Sequence, residues 1–192
     1  RKVKNNLIKG LLKKIEIGIV KKQDTLENQA KHSYLAIGSN LGNKITNIHK
    51  AKFELEKNKI KITKVSSHYL SKSWPNPLMP DFVNIVIQIE STLAPLELLK
   101  ICNFIELKLG RVRLKKNDPR TCDIDIIDYD NKILNISGNK LIIPHQHTTK
   151  RNFVLLPLFE IDRRWKHPES KISIVNLINS LPIKDLRSIK QI

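Results

Sequence analysis

Glycine is scarce in this chain: there are six in 192 residues, and none stands in a Gly-x4-Gly-Lys-Ser/Thr run. That excludes a P-loop, so any nucleoside triphosphate must be held by side chains and metal rather than by a glycine cradle. Cysteine is limited to Cys102 and Cys122, without metal-type spacing, which argues against a disulfide framework and for a reducing, cytoplasmic setting. No apolar run reaches the length needed to cross a bilayer, and the first residues lack the apolar stretch and cleavage site of a signal peptide. Aromatic residues make up only 5%, and no RNP-like segment is present, so a base-stacking nucleic-acid module is disfavoured. Acids are also few, 18 against 35 Lys and Arg, for a net charge of +17. The lysines are spread along the chain rather than clustered, as a solubilising residue bias would leave them. The field still speeds capture of a phosphorylated anion.

Forty per cent of the residues are hydrophobic, enough to bury the core of one compact domain. Residues 1–32 differ from the rest. Val3, Leu7, Leu11 and Ile15 recur every four residues among lysines, an amphipathic helical pattern, and the first acid is Glu16. Such a segment suits a presequence, a membrane-surface helix, a packing helix or the tail of an upstream domain; the last two are favoured here, because the chain opens on Arg1 rather than Met.

The domain proper is expected over residues 33–192. Tyr34–Ile37 reads as a buried strand, Gly38–Gly42 as a tight turn, and Ile45, Ile48, Ala51 and Leu55 as a helical stripe. Residues 60–69 alternate as a strand with Ile60, Ile62 and Val65 inward. Pro75, Pro77 and Pro80 mark a loop, and Phe82–Ile89 is a β-branched strand. A helix follows from Pro95 through Leu109, capped by Gly110, and then a strand over 122–129. Residues 137–150 read as a loop, 153–161 as a short helix and 172–181 as a last amphipathic helix. Strand, helix, strand, strand, helix, strand is the split βαβ order of a ferredoxin-like α/β sandwich, an α+β fold with a mainly antiparallel sheet and helices packed on it. Many functions use that fold, so the argument must come from the site.

The informative stretch is Pro119–Ile127. Side chains alternate along a strand, so Asp123 and Asp125 share one face, roughly 7 Å apart, while Ile124 and Ile126 turn to the core. Two like charges so close need a cation to stay ionised. Carboxylate oxygens suit Mg²⁺, which takes one or two of them and completes its shell with water and phosphate oxygens. An exposed strand face with two idle acids is the plain alternative. Arg111, Arg113 and Arg120 lie in the segment before the acids and Arg151 beyond them, and guanidinium forks match phosphate.

The sequence resembles the 6-hydroxymethyl-7,8-dihydropterin pyrophosphokinases. The matching stretches, in order over about 33–170, are Ala36–Gly42, Ser66–Ser71, Pro80–Asn84, Ile105-Glu106 with Gly110–Arg113, Pro119–Ile126, Ile143–His145, and Arg151–Leu155 through Pro157-Leu158. The resemblance implies diphosphate transfer from ATP to the hydroxymethyl group of the dihydropterin, in tetrahydrofolate biosynthesis, with release of AMP. It implies Asp123 and Asp125 as ligands of two Mg²⁺ ions, Arg111 and Arg120 as mobile-loop arginines on the phosphates, and Glu106, Arg113, His145 and Arg151 at the nucleotide. Phe82 and Phe153 are expected to sandwich the pterin and Asn84 to bond its edge, with backbone groups near Ser71 and Trp74 completing the pocket.

Departures from the pattern are a loop from Arg111 to Arg120 that has no aromatic and is one residue short, Gln146 where some relatives have Tyr, and Phe82 likewise. The partners implied are ATP and the pterin, with fusion to or association with a neighbouring folate-pathway enzyme left open, and no nucleic acid or membrane. The rivals are a basic nucleic-acid-binding module and a degenerate appendage of a fused folate enzyme.

Overall fold

Two central strands with alternating apolar faces organise the molecule. The computed structural model describes residues 29–73, 76–111, 118–136 and 141–192. The extension's helical stripe, Trp74 and Arg113 lie outside them.

β1 (Lys31–Ser39) is followed by α1 (Lys44–Lys57), β2 (Lys61–Val65), β3 (Tyr69–Ser71), β4 (Phe82–Ser91), α2 (Pro95–Lys108) and β5 (Asp123–Tyr129). These strands form one sheet in the order β5-β1-β4-β3, with β2 also paired to β4, and every one of these pairings is antiparallel. This is the expected ferredoxin-like arrangement, with the second strand of the motif divided into β2 and β3. β1 begins at Lys31, two residues before the boundary read from sequence.

β1 and β4 are covered on both faces, which is why each reads as a nearly continuous apolar run. Leu35 and Ile37 of β1 and Val83, Ile85, Ile87 and Ile89 of β4 point to one side, against Ile48, Ala51 and Leu55 of α1 and Leu98, Cys102 and Ile105 of α2. Each fully buried Leu or Ile there contributes about 1.5–3 kcal/mol. Asn43 caps α1 by accepting a hydrogen bond from Thr46 N at 3.0 Å. Pro95 opens α2, and Gly110, at φ 84°, ends it in a left-handed conformation that a Cβ would disfavour.

The opposite face carries a second helical layer. Val154, Leu155 and Leu158 of α3 (Asn152–Ile161), with Trp165 and with Ile174 and Leu177 of α4 (Ile174–Asn179), pack on Tyr34, Val86 and Ile127. The sheet is therefore sandwiched, and a bare sheet face of the kind an RNA-binding module uses is lacking among the described residues.

Other elements correct the sequence reading. The stretch read as a loop contains β7 (Leu141–Ile143), paired with β6 (Leu134–Ile136), and a 3₁₀ turn at Thr148–Lys150. The final amphipathic segment is helical only over Ile174–Asn179, and α5 (Ile183–Arg187) and β8 (Lys190–Gln191), which pairs with β3, follow it. Val65 is 42% exposed rather than inward, because β2 pairs with β4 through a register shift between Ile62 and Lys64. No helix among the described residues is long and apolar enough to cross a membrane.

Candidate active site

Pairing of β5 with β1 sets Gly38 opposite Asp123 and Ala36 opposite Asp125. The small partners leave open space above the two acids, and both line one cleft with Phe82, Asn84, Phe153, Ser71, Arg120 and Arg151. Ile124 and Ile126 are buried on the other face.

Arginine surrounds the acids. Arg120 Nη2 lies 2.6 Å and Arg111 Nη1 2.7 Å from the oxygens of Asp123. Arg111 also pairs with Glu106, and its amide donates to Glu106 O at 3.0 Å as the chain turns back at Gly110. Glu106 Oε1 in turn accepts from Ile124 N at 2.7 Å, pinning α2 to β5. Asp125 Oδ2 meets Arg151 Nη1 at 2.9 Å and His145 Nε2 at 3.8 Å.

The electrostatics follow from this geometry. Burial would raise the Asp123 carboxyl, but Arg120 and Arg111 more than offset it and hold the group below the usual carboxylate range. Burial pushes Glu106 up, against the pull of Arg111 and the Ile124 amide. Burial also lowers the His145 imidazole despite Asp125, which favours a neutral ring near pH 7.

Phe82 opens β4 and Phe153 lies in the first turn of α3, so the tertiary fold alone brings both rings to one cleft. The Arg120 guanidinium carbon stands 5.1 Å from the Phe82 ring centroid and that of Arg151 stands 5.6 Å from Phe153. The space left beside them is about 50 Å³. The two guanidinium groups thus lie over the ring faces on which a flat ligand would stack. Asn84 Nδ2 donates to Ser71 Oγ at 2.9 Å. The Ser71 hydroxyl therefore orients the Asn84 amide at the edge of the cleft.

A second cavity of about 310 Å³ flanks the other side of β5, lined by Leu99, Asn103, Glu106, Ile124, Asp125, Ile126, Leu141, Ile142, His145 and Gln146. Its size is that of a ligand pocket. Asp125 lines both cavities. Asn103, Leu141 and Ile142 join this lining without a place among the residues the sequence predicts for the site, the last two because a three-residue strand is too short for its period to show. A signal for Asn103 existed: Leu99, Asn103 and Glu106 are spaced four and three apart, which puts them on one helix stripe.

A ferredoxin-like sandwich with an arginine-ringed carboxylate pair in a cleft, one acid of which also lines a neighbouring cavity, has the make-up of a phosphotransfer enzyme for a small substrate. Comparison with known proteins narrows this to a family. The family model for 7,8-dihydro-6-hydroxymethylpterin-pyrophosphokinase (HPPK) matches residues 34–163, and the chain belongs to that family. It is 40% identical over 141 residues to the 2-amino-4-hydroxy-6-hydroxymethyldihydropteridine pyrophosphokinase of Haemophilus influenzae, covering 73% of this chain and 87% of that one. It is 35% identical over 170 residues to the folic acid synthesis protein fol1 of Pneumocystis carinii, covering 88% of this chain but only 22% of that one. A crystal structure of Plasmodium falciparum HPPK-DHPS with pteroate matches with a TM-score of 0.66 at 16% identity, over 86% of this chain and 47% of that one, a likeness of fold.

Proposed function

We propose that this chain transfers diphosphate from ATP to the hydroxymethyl oxygen of 6-hydroxymethyl-7,8-dihydropterin, releasing AMP, as a step of tetrahydrofolate biosynthesis. The observation that carries this reading is the place of the two acids. Asp123 and Asp125 line the cleft that holds both phenylalanines, and Asp125 also lines the larger cavity beside His145. A nucleotide seated in the larger cavity would extend its phosphates over the acids toward a pterin seated between Phe82 and Phe153.

The donor set fits magnesium bound together with a nucleotide. Among the described residues no group of three or more His, Cys, Asp or Glu could hold a metal ion by itself. Two carboxylates on one face suit Mg²⁺ that takes most of its remaining ligands from phosphate and water. Asp123 and Asp125 would hold such ions, two in the family pattern, which when bound neutralise charge on the phosphate oxygens.

The protein's own groups do the rest. Arg111 and Arg120 exchange part of their hold on Asp123 for phosphate oxygens, and Arg151 does the same from Asp125. Glu106 keeps Arg111 in reach and fixes β5 through the Ile124 amide. Arg113 lies in the same arginine segment and is assigned to the nucleotide, and Trp74 to the pterin pocket. Phe82 and Phe153 stack the pterin, and Asn84, oriented by Ser71, meets its polar edge. The hydroxymethyl oxygen attacks the β-phosphorus, the bond from that phosphorus to the bridging oxygen of AMP breaks, and rate comes from alignment and charge stabilisation.

The compartment proposed is the cytoplasm, because Cys102 and Cys122 are free and buried and burial pushes the Cys122 thiol up to about 12, leaving it inert. A fused or associated folate-pathway enzyme is proposed as partner, since Lactococcus lactis has a relative named bifunctional protein FolKE, 42% identical over 137 residues, of which this chain covers 39%.

Asp123→Ala and Asp125→Ala should each lower AMP release at saturating Mg²⁺, ATP and pterin by at least about 100-fold, with an unchanged circular dichroism spectrum. Turnover near wild type in either variant would remove the metal assignment.

A further inference from the structure

Asn40 takes no part in binding as described above, yet it is only 2% exposed and its amide is hydrogen-bonded at both ends. Its Oδ1 accepts from Arg120 N at 2.7 Å, and its Nδ2 donates to Pro80 O at 3.1 Å. Its own backbone amide donates to Arg120 O at 3.0 Å, so Arg120 is gripped on both main-chain groups. Pro80 stands two residues before Phe82. The next carbonyl, that of Asp81, accepts from Lys44 Nζ at 2.7 Å. The turn that presents Asn40 is itself held from α1, where Asn47 Nδ2 donates to Leu41 O at 2.9 Å and Ser39 Oγ at 3.2 Å.

One side chain thus joins the two walls of the cleft. Arg120 reaches Asp123 and lies over the Phe82 ring, while Pro80 leads into the strand that carries that ring. Few side chains can do this: a carboxylate accepts from the amide but cannot donate to the carbonyl, and an aliphatic group does neither. A buried amide with both ends satisfied holds its neighbours stiffly, since moving either one leaves a polar group unmet.

We propose that Asn40 is a positioning residue that couples the phosphate-binding arm at Arg120 to the pterin wall at Phe82, fixing the distance between the groups that handle the two substrates. The inference rests on the pyrophosphokinase reading and adds to it a residue that sets how nucleotide and pterin are aligned. A misplacement of about 1 Å between reacting groups is enough to cost about 100-fold in rate.

The test compares Asn40→Asp, which keeps the acceptor for Arg120 N, with Asn40→Ala, which removes both side-chain bonds, each by steady-state kinetics and a thermal melt. Asn40→Asp should raise the pterin KM about tenfold with kcat within about threefold, whereas Asn40→Ala should lower kcat by about 10- to 100-fold with the ATP KM within about threefold. Placed in an Arg120→Ala background, Asn40→Ala should cost less than about threefold more in kcat, because its route to the chemistry is already gone. Should Asn40→Ala fail to fold, the KM-against-kcat split in Asn40→Asp decides the matter. Wild-type kinetics in the folded variants, or a full multiplicative loss in the Arg120→Ala background, would overturn the coupling and leave the reaction standing. A wild-type chain without turnover would overturn both.

Discussion

Gly38 shows how much a single missing carbon decides. A Cβ there would stand 2.9 Å from Asn84 Oδ1 and 3.3 Å from Phe82 Cδ1, the two side chains proposed above to meet the pterin. The residue is extended and paired opposite Asn84 on one side and Asp123 on the other, so its role is clearance, not backbone freedom. Gly38→Ala should raise the pterin KM about tenfold and cost about 1–3 kcal/mol of stability, read by titration with pterin and by denaturant melts. Unchanged pterin binding would mean that Asn84 and Phe82 yield freely. At this scale the sequence was most legible where strand periodicity applied: Asp123 and Asp125 share a face because β5 is extended. The union of Asp125 with Arg151 and His145 was not legible from spacing, since His145 lies 20 and Arg151 26 residues later in the chain.

Elements follow the sequence where they are long and periodic and depart from it where strands are short or irregular. The pairing of β1 with β5 shifts register between Tyr34 and Leu35, pairing Tyr34 with Asp128 and Leu35 with Ile126. The extra residue turns Asp128 to the same side as Ile127, where it accepts from Trp165 Nε1 at 2.8 Å, although simple alternation would send it to the other face. β6, β7 and β8 have two or three residues each, too few for a period to show.

The turn between α3 and α4 yields a pH prediction. His167, 7% exposed, accepts at Nδ1 from Ser170 N at 3.2 Å, and burial lowers its imidazole below the usual value, outweighing nearby Glu169, with Lys171 acting in the same direction as burial. A depressed histidine binds its proton more readily in the unfolded chain. Its contribution to stability is therefore complete above about pH 6.5 and is lost as pH falls from there toward the folded value. The melting temperature of the wild type should approach that of His167→Gln between pH 7 and 5; a constant gap between the two would show that the ring does not titrate in this way.

The whole molecule carries a net charge of +17, spread over its length. Such a field acts on ligands by charge. The ATP KM should rise several-fold between about 0.02 and 0.5 M KCl as the screening length falls below about 10 Å, while the KM of the uncharged pterin stays within about twofold. Equal salt dependence for both substrates would assign the effect to the fold instead.

Alternation and turn chemistry, which act between near neighbours, made the ferredoxin-like order and the acid pair readable from the sequence alone. The second helical layer, the meeting of Arg151 and His145 with Asp125 and the cavity behind β5 arose only in the tertiary structure. They depend on contacts between residues far apart in the chain, and no local period encodes which distant surface a side chain will meet.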